Sequence, residues 1–148
     1  MKEKQKEKQV VLFVRGTQYY DDIEPEETEL MTEGIMVSGV DGAIILEYQE
    51  TELTGMEGTT TRFTIQDDTV VLTREGSVNS QMVFQRGKRN SSIYETPWGT
   101  MLVDISTASL QYRLDAHGGV MEIRYTIAVD HQVTGMSHFK IRVRESMR

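Results

Sequence analysis

Nearly every apolar stretch of this chain repeats with a period of two. That period belongs to β-strands, whose successive side chains point to opposite faces of a sheet. Val10, Leu12 and Val14 share one parity, set against Val11, Phe13 and Arg15. Ile44, Leu46, Tyr48 and Glu50 share another, as do Val70, Leu72 and Arg74, and Met82 with Phe84. Met121, Ile123, Tyr125, Ile127 and Val129 alternate without a break, and Phe139, Ile141 and Val143 follow them. Between these runs stand turn signals: Asp41-Gly42, Gly55 to Gly58, Asp67-Asp68, Glu75-Gly76, Arg86-Gly87-Lys88 and Asp130-His131. No segment carries a helical stripe. Regular strands joined by short turns predict an all-β sandwich or barrel. A chain of successive hairpins favours a single antiparallel up-and-down β-barrel of about 8–10 strands, because closure removes exposed edges.

Some boundaries are more informative than others. Thr100 to Leu114 is the longest strand candidate. Its apolar parity runs Met101, Val103, Ile105 and then Leu110, Tyr112, Leu114, switching from odd to even. A one-residue slip would turn the core face outward, so a bulge is expected between Ser106 and Ser109. Thr28 to Val37 is apolar on both parities, with Leu30 and Met36 against Met31, Ile35 and Val37, and Gly34 marks a bend or bulge. Asp41-Gly42 predicts a type I′ hairpin. The acidic stretch Asp21 to Glu27, with Pro25 inside it, reads as an exposed loop. Its carboxylates lack the alternate spacing and central glycine of a calcium loop.

Composition limits the function. The chain has 148 residues, enough for one domain: a polar tail over 1–9 and a barrel over 10–145. It has no cysteine, which rules out disulfides, thiolate metal sites and cysteine nucleophiles. With 16 basic and 23 acidic residues the net charge is −7, which disfavours nucleic acid as a partner. The apolar run Val10 to Val14 is too short for a signal sequence, and no stretch approaches the length of a membrane-spanning helix. A cytoplasmic protein with no membrane partner is expected.

One stretch stands apart. Tyr94-Glu95-Thr96-Pro97-Trp98-Gly99-Thr100-Met101 holds the single tryptophan and one of two prolines. Together with Met82-Val83-Phe84 ahead of it, it resembles the signature of the YwiB-like family of uncharacterised bacterial proteins. Thr32-Glu33-Gly34, Tyr48-Gln49-Glu50 and Arg74-Glu75-Gly76 match in the same order, so the resemblance runs from about Val10 to Glu145. The family pattern often has Tyr or Phe where this chain has Trp98. The resemblance implies a lipocalin-like (calycin-type) barrel. It brings no established activity and no catalytic residues. The Gly-x-Trp of lipocalins proper is missing near the N-terminus, and the helix pair of fatty-acid-binding barrels has no counterpart after the first strand, so neither group's ligand transfers.

Catalytic chemistry is not signalled. His117, His131 and His138 are not spaced as metal ligands, and there is no nucleophile elbow, Walker loop or dinucleotide fingerprint. No cofactor, metal or catalytic residue is expected. The informative residues are polar groups on an apolar parity. Glu50 and Arg74 either lie at strand ends and reach solvent or point into one end of the barrel, paired or touching a ligand, with Tyr48 on the same face as Glu50. Tyr94 and Trp98 are read either as lining a pocket mouth or, for Trp98 in a tight Pro97–Gly99 turn, as plugging or flanking the barrel end. Two functions follow. One is a non-enzymatic barrel for a small apolar or amphipathic ligand, with Met31, Met36, Met82, Met101 and Met121 as an adaptable lining. The other is an interaction module acting through its surface, as a homodimer for example. A cavity of about 300 Å³ or more separates the first from the second.

Overall fold

The computed structural model describes residues 6–20, 23–39 and 41–146. It contains ten strands: β1 (Lys6–Tyr20), β2 (Ile23–Ser38), β3 (Ile44–Gln49), β4 (Thr60–Gln66), β5 (Thr69–Glu75), β6 (Asn79–Gln85), β7 (Arg89–Thr96), β8 (Gly99–Asp115), β9 (Gly118–Val129) and β10 (Gln132–Glu145). Each pairs antiparallel with its neighbour in sequence, and β1 pairs with β10 to close the barrel. Among the described residues the only helical element is a single 3₁₀ turn, Glu52–Thr54, and no helix is long and apolar enough to cross a membrane.

The alternating residues fill the interior. Val10, Leu12, Leu46, Phe63, Ile65, Val70, Ile123 and Ile141 are all buried in one core. Their neighbours in sequence face outward and are mostly polar, which is what a closed sheet with one wet face requires.

The parity switch in β8 is a bulge. Thr107 pairs with Tyr125 and Ser109 with Arg124, leaving Ala108 as the extra residue. Both Ile105 and Leu110 thereby face the core. The tip of the β6–β7 hairpin anchors at this point: Gly87 N donates to Thr107 O at 2.9 Å, and Thr107 N donates to Lys88 O at 3.1 Å.

Three expectations are corrected. The acidic segment is not a loop: β2 begins at Ile23, and Glu26 to Glu29 pair with β1. Pro25 is tolerated because it falls where the register shifts between Gln18 and Tyr20, so no ladder bond needs its missing N–H. Asp21 and Asp22 lie outside the described residues. The Asp41-Gly42 turn is not type I′: of these two residues only Gly42 takes a positive φ, +86°. Instead Gly39 N donates to Ala43 O at 2.8 Å, and Asp41 Oδ1 accepts from Ala43 N at 3.1 Å. The type I′ pattern appears at Asp130 and His131, both at positive φ. Finally, β1 starts at Lys6, inside the segment read as a polar tail.

The ambiguous strand is also resolved. Met36 faces the core, whereas Met31 is 67 % exposed on the opposite face. Gly34 sits where β2 crosses onto β3. A Cβ there would come within 2.5 Å of Glu47 O, so the two backbones meet at a distance that excludes any side chain.

Two seams are short. β2 pairs with β3 only over Ile35 to Ser38, and β6 pairs with β7 only at Asn79 and Ser80. The β6–β7 seam borders the interior space described next.

Candidate functional site

Five residues at one end of the barrel form a continuous cross-strand row. Tyr48 pairs with Thr61, Thr61 with Arg74, Arg74 with Ser80, and Ser80 with Tyr94. Cross-strand partners share a face, so the row carries a band of polar groups around the inner wall. Beneath it strands β3 to β6 present apolar groups: Leu46, Phe63, Leu72 and Met82. The strand pattern of β3 carries on past its last residue. Glu50 N donates to Thr59 O at 2.9 Å, and this holds Glu50 on the inner face.

Burial in this band is deep. The Glu50 side chain is 1 % exposed and that of Arg74 17 %. Thr61 Oγ1 donates to Glu50 Oε2 at 2.5 Å, while Arg74 Nε stands 4.0 Å from the same oxygen. Glu50 Oε1, Arg74 Nε and Ser80 Oγ have no hydrogen-bond partner. Burial, with the Glu50 carboxylate next in effect, holds the Tyr48 phenol well above its ordinary value, against the opposing pull of Arg74. Burial likewise raises Tyr125, while Ser137 and Arg74 act in the other direction. Arg74 is thus felt by tyrosines on two sides of the barrel.

Arg74 and Tyr94 border an interior cavity of about 400 Å³. Its deep wall is Phe63, Phe84, Val103 and Ile123, all buried, with Phe84 edge-on to Tyr125 at 4.9 Å. Toward the end that carries the polar row, the lining residues Tyr94, Met101, Ile127 and Val129 are only partly buried, which places the mouth there. The polar residues of the lining are Arg74, Tyr94 and Tyr125. Of the methionines expected in the lining, Met82 and Met101 belong to it; Met36 and Met121 pack in the solid core, and Met31 is outside.

The structure therefore brings Tyr48, Glu50, Arg74 and Tyr94 together. It does not bring Trp98 to them. Trp98 is 91 % exposed at the β7–β8 turn and is neither a plug nor part of the cavity lining. Gly99 takes a φ of +139°, and the two-residue Pro97-Trp98 connection turns the tryptophan away from the interior.

A second polar cluster was not foreseen from the sequence. Asp104 lies on the outward parity of β8 yet is 3 % exposed. Ser91 Oγ donates to its Oδ1 and Arg89 donates to its Oδ2 at 2.9 Å, with His131 Nδ1 3.7 Å away. The hydrogen bond from Ser91, then that from Arg89, holds the Asp104 carboxyl below its usual range. This is not a hydrolytic triad. Serine and histidine both address the carboxylate, whereas a triad needs the histidine between the other two. The signal available was an aspartate in mid-strand, where that residue is depleted. Among the described residues no group of three or more His, Asp or Glu side chains is arranged to hold a metal ion.

The sequence profile of the family described as Domain of unknown function (DUF1934) matches residues 13–141. The chain belongs to this family. The same barrel recurs in the crystal structure of the ywiB protein from Bacillus subtilis. That structure superposes with a TM-score of 0.81 at 22 % identity, over 95 % of this chain and 94 % of the other. At that identity the likeness extends to the fold. No curated protein matches this chain. The family therefore accounts for the ten-stranded barrel and leaves the purpose of its interior to be argued from the residues.

Proposed function

We propose that this member of the DUF1934 family is a non-enzymatic binding barrel for a small apolar or amphipathic ligand. The observation that carries the reading is the cavity of about 400 Å³, walled by inward-facing apolar and aromatic side chains. That volume falls within the range of small-molecule sites, which are mainly apolar with a few converging polar groups. A barrel meant only to display its surface gains nothing from such a void, because unfilled space forfeits dispersion contacts.

The test uses the full chain and a neutral apolar fluorophore, N-phenylnaphthylamine. A saturable rise in its emission at one probe per chain is expected. Met101→Trp, which places a larger ring at the half-buried mouth, is expected to weaken that binding while leaving the fold cooperative. Absence of saturable binding to the wild-type protein would overturn the reading. Native mass spectrometry of the protein from its own host adds the mass of any retained ligand and the number of chains per particle.

A further inference from the structure

The polar groups that reach the cavity can all donate a hydrogen bond. Arg74 donates only, and the phenols of Tyr94 and Tyr125 each bring an O–H donor. Glu50, the carboxylate next to Arg74, is not part of the lining; its Oε2 accepts from Thr61 and its Oε1 is buried without a donor. Arg74 Nε is buried without an acceptor, and the nearest carboxylate oxygen, at 4.0 Å, lies beyond hydrogen-bond range. A guanidinium held away from water is costly unless acceptors surround it. Glu50 therefore keeps Arg74 in place electrostatically and leaves its donors to be used from the cavity side.

We infer that the barrel takes an amphipathic monoacid, its carboxylate bound by Arg74 with help from Tyr94 and Tyr125 and its apolar tail against Phe63, Phe84 and Ile123. Arg74 offers the planar fork that matches a carboxylate, and a charge-assisted bond in a dry site is stronger than a neutral one. The tail would run from the half-buried mouth toward the closed end. There the Tyr112 hydroxyl donates to Asp67 O at 2.9 Å and ties the β4–β5 turn across the barrel. This inference rests on the binding-barrel reading above and adds the chemistry of the head group.

The experiment compares decanoate with decanol, two ligands with the same tail, by competition against N-phenylnaphthylamine at neutral pH. Decanoate is expected to bind at least about tenfold more tightly than decanol, as a charge-assisted bond implies. Removing Arg74 alone would strand Glu50, so the variant is the neutral double replacement Glu50→Gln with Arg74→Gln. It is expected to keep decanol binding and lose the preference for the acid. Equal affinity of the wild-type protein for acid and alcohol would overturn the head-group assignment while leaving the binding barrel intact. A preference retained by the double variant would overturn the role of Arg74. Failure of N-phenylnaphthylamine and both decyl ligands alike would instead overturn the binding barrel itself.

Discussion

Arg74 Nε and Glu50 Oε2 stand 4.0 Å apart inside the barrel wall, opposite charges placed side by side without a hydrogen bond between them. Glu50 follows β3 and Arg74 lies in β5, with Thr61 of β4 between them and bonded to Glu50. Each charge is left with an unsatisfied atom, Glu50 Oε1 and Arg74 Nε. Such an arrangement contributes little net stability, yet breaking it is costly, because the surviving charge stays buried.

A double-mutant cycle measures this. Arg74→Met is expected to cost about 3 kcal/mol in urea unfolding, since it leaves the Glu50 carboxylate without a counter-charge. Glu50→Gln added to Arg74→Met is expected to restore most of that loss. Strict additivity of the two single changes would show that the groups do not interact.

At the β2–β3 crossing, Gly34→Ala is expected to destabilise the protein by about 1–3 kcal/mol, the usual range for forcing extra volume into a packed site. The added methyl would meet Glu47 O at 2.5 Å and Leu12 Cδ1 at 2.9 Å, and the carbonyl cannot yield without disturbing the four-residue seam. The denaturation midpoint checks it. Gly42→Ala is a useful comparison: its Cβ would meet nothing within 4 Å, so only the positive φ opposes it.

The Asp104 network gives the fold a sensitivity to acid. Its carboxyl is held below the ordinary value in the folded chain by Ser91 and Arg89. The stabilisation is therefore present above the unfolded value of about 3.9 and is lost as pH falls through the lower, folded value. In acid titrations followed by far-ultraviolet circular dichroism, Asp104→Asn is expected to lower stability at neutral pH and to flatten the loss below about pH 4. An unchanged acid limb would remove Asp104 from the account.

Trp98 offers a contrasting prediction. With the side chain 91 % exposed, Trp98→Ala is expected to change stability by no more than about 0.5 kcal/mol and to leave probe binding unaltered. As the single tryptophan, it should also emit at the wavelength of a hydrated indole, with no shift when the cavity fills. A blue-shifted emission would place it elsewhere.

The alternation of apolar residues determined the fold class, the interior faces and even the position of the β8 bulge. A period of two leaves no freedom about which residues share a face, so Ile44, Leu46, Tyr48 and Glu50 had to point the same way. The same rule put Arg74 on the apolar parity of β5, but it did not decide between the interior and solvent at the strand end. It could not say that Tyr48, Thr61, Arg74, Ser80 and Tyr94 form one row, because that depends on the register of four hairpins. Nor could it choose a face for β2, where both parities are apolar and only the register against β1, which sets Gly34 opposite Val10 and Thr32 opposite Leu12, puts Met36 inward and Met31 outward. The partners of Asp104 could not be read either, because they come from the neighbouring strand and from a turn. Local periodicity sets direction along a strand. Which strands meet, how deep a charge lies and whether the space between them is filled are decided only when the barrel closes, and here closure left a cavity of about 400 Å³ with Arg74 at its edge.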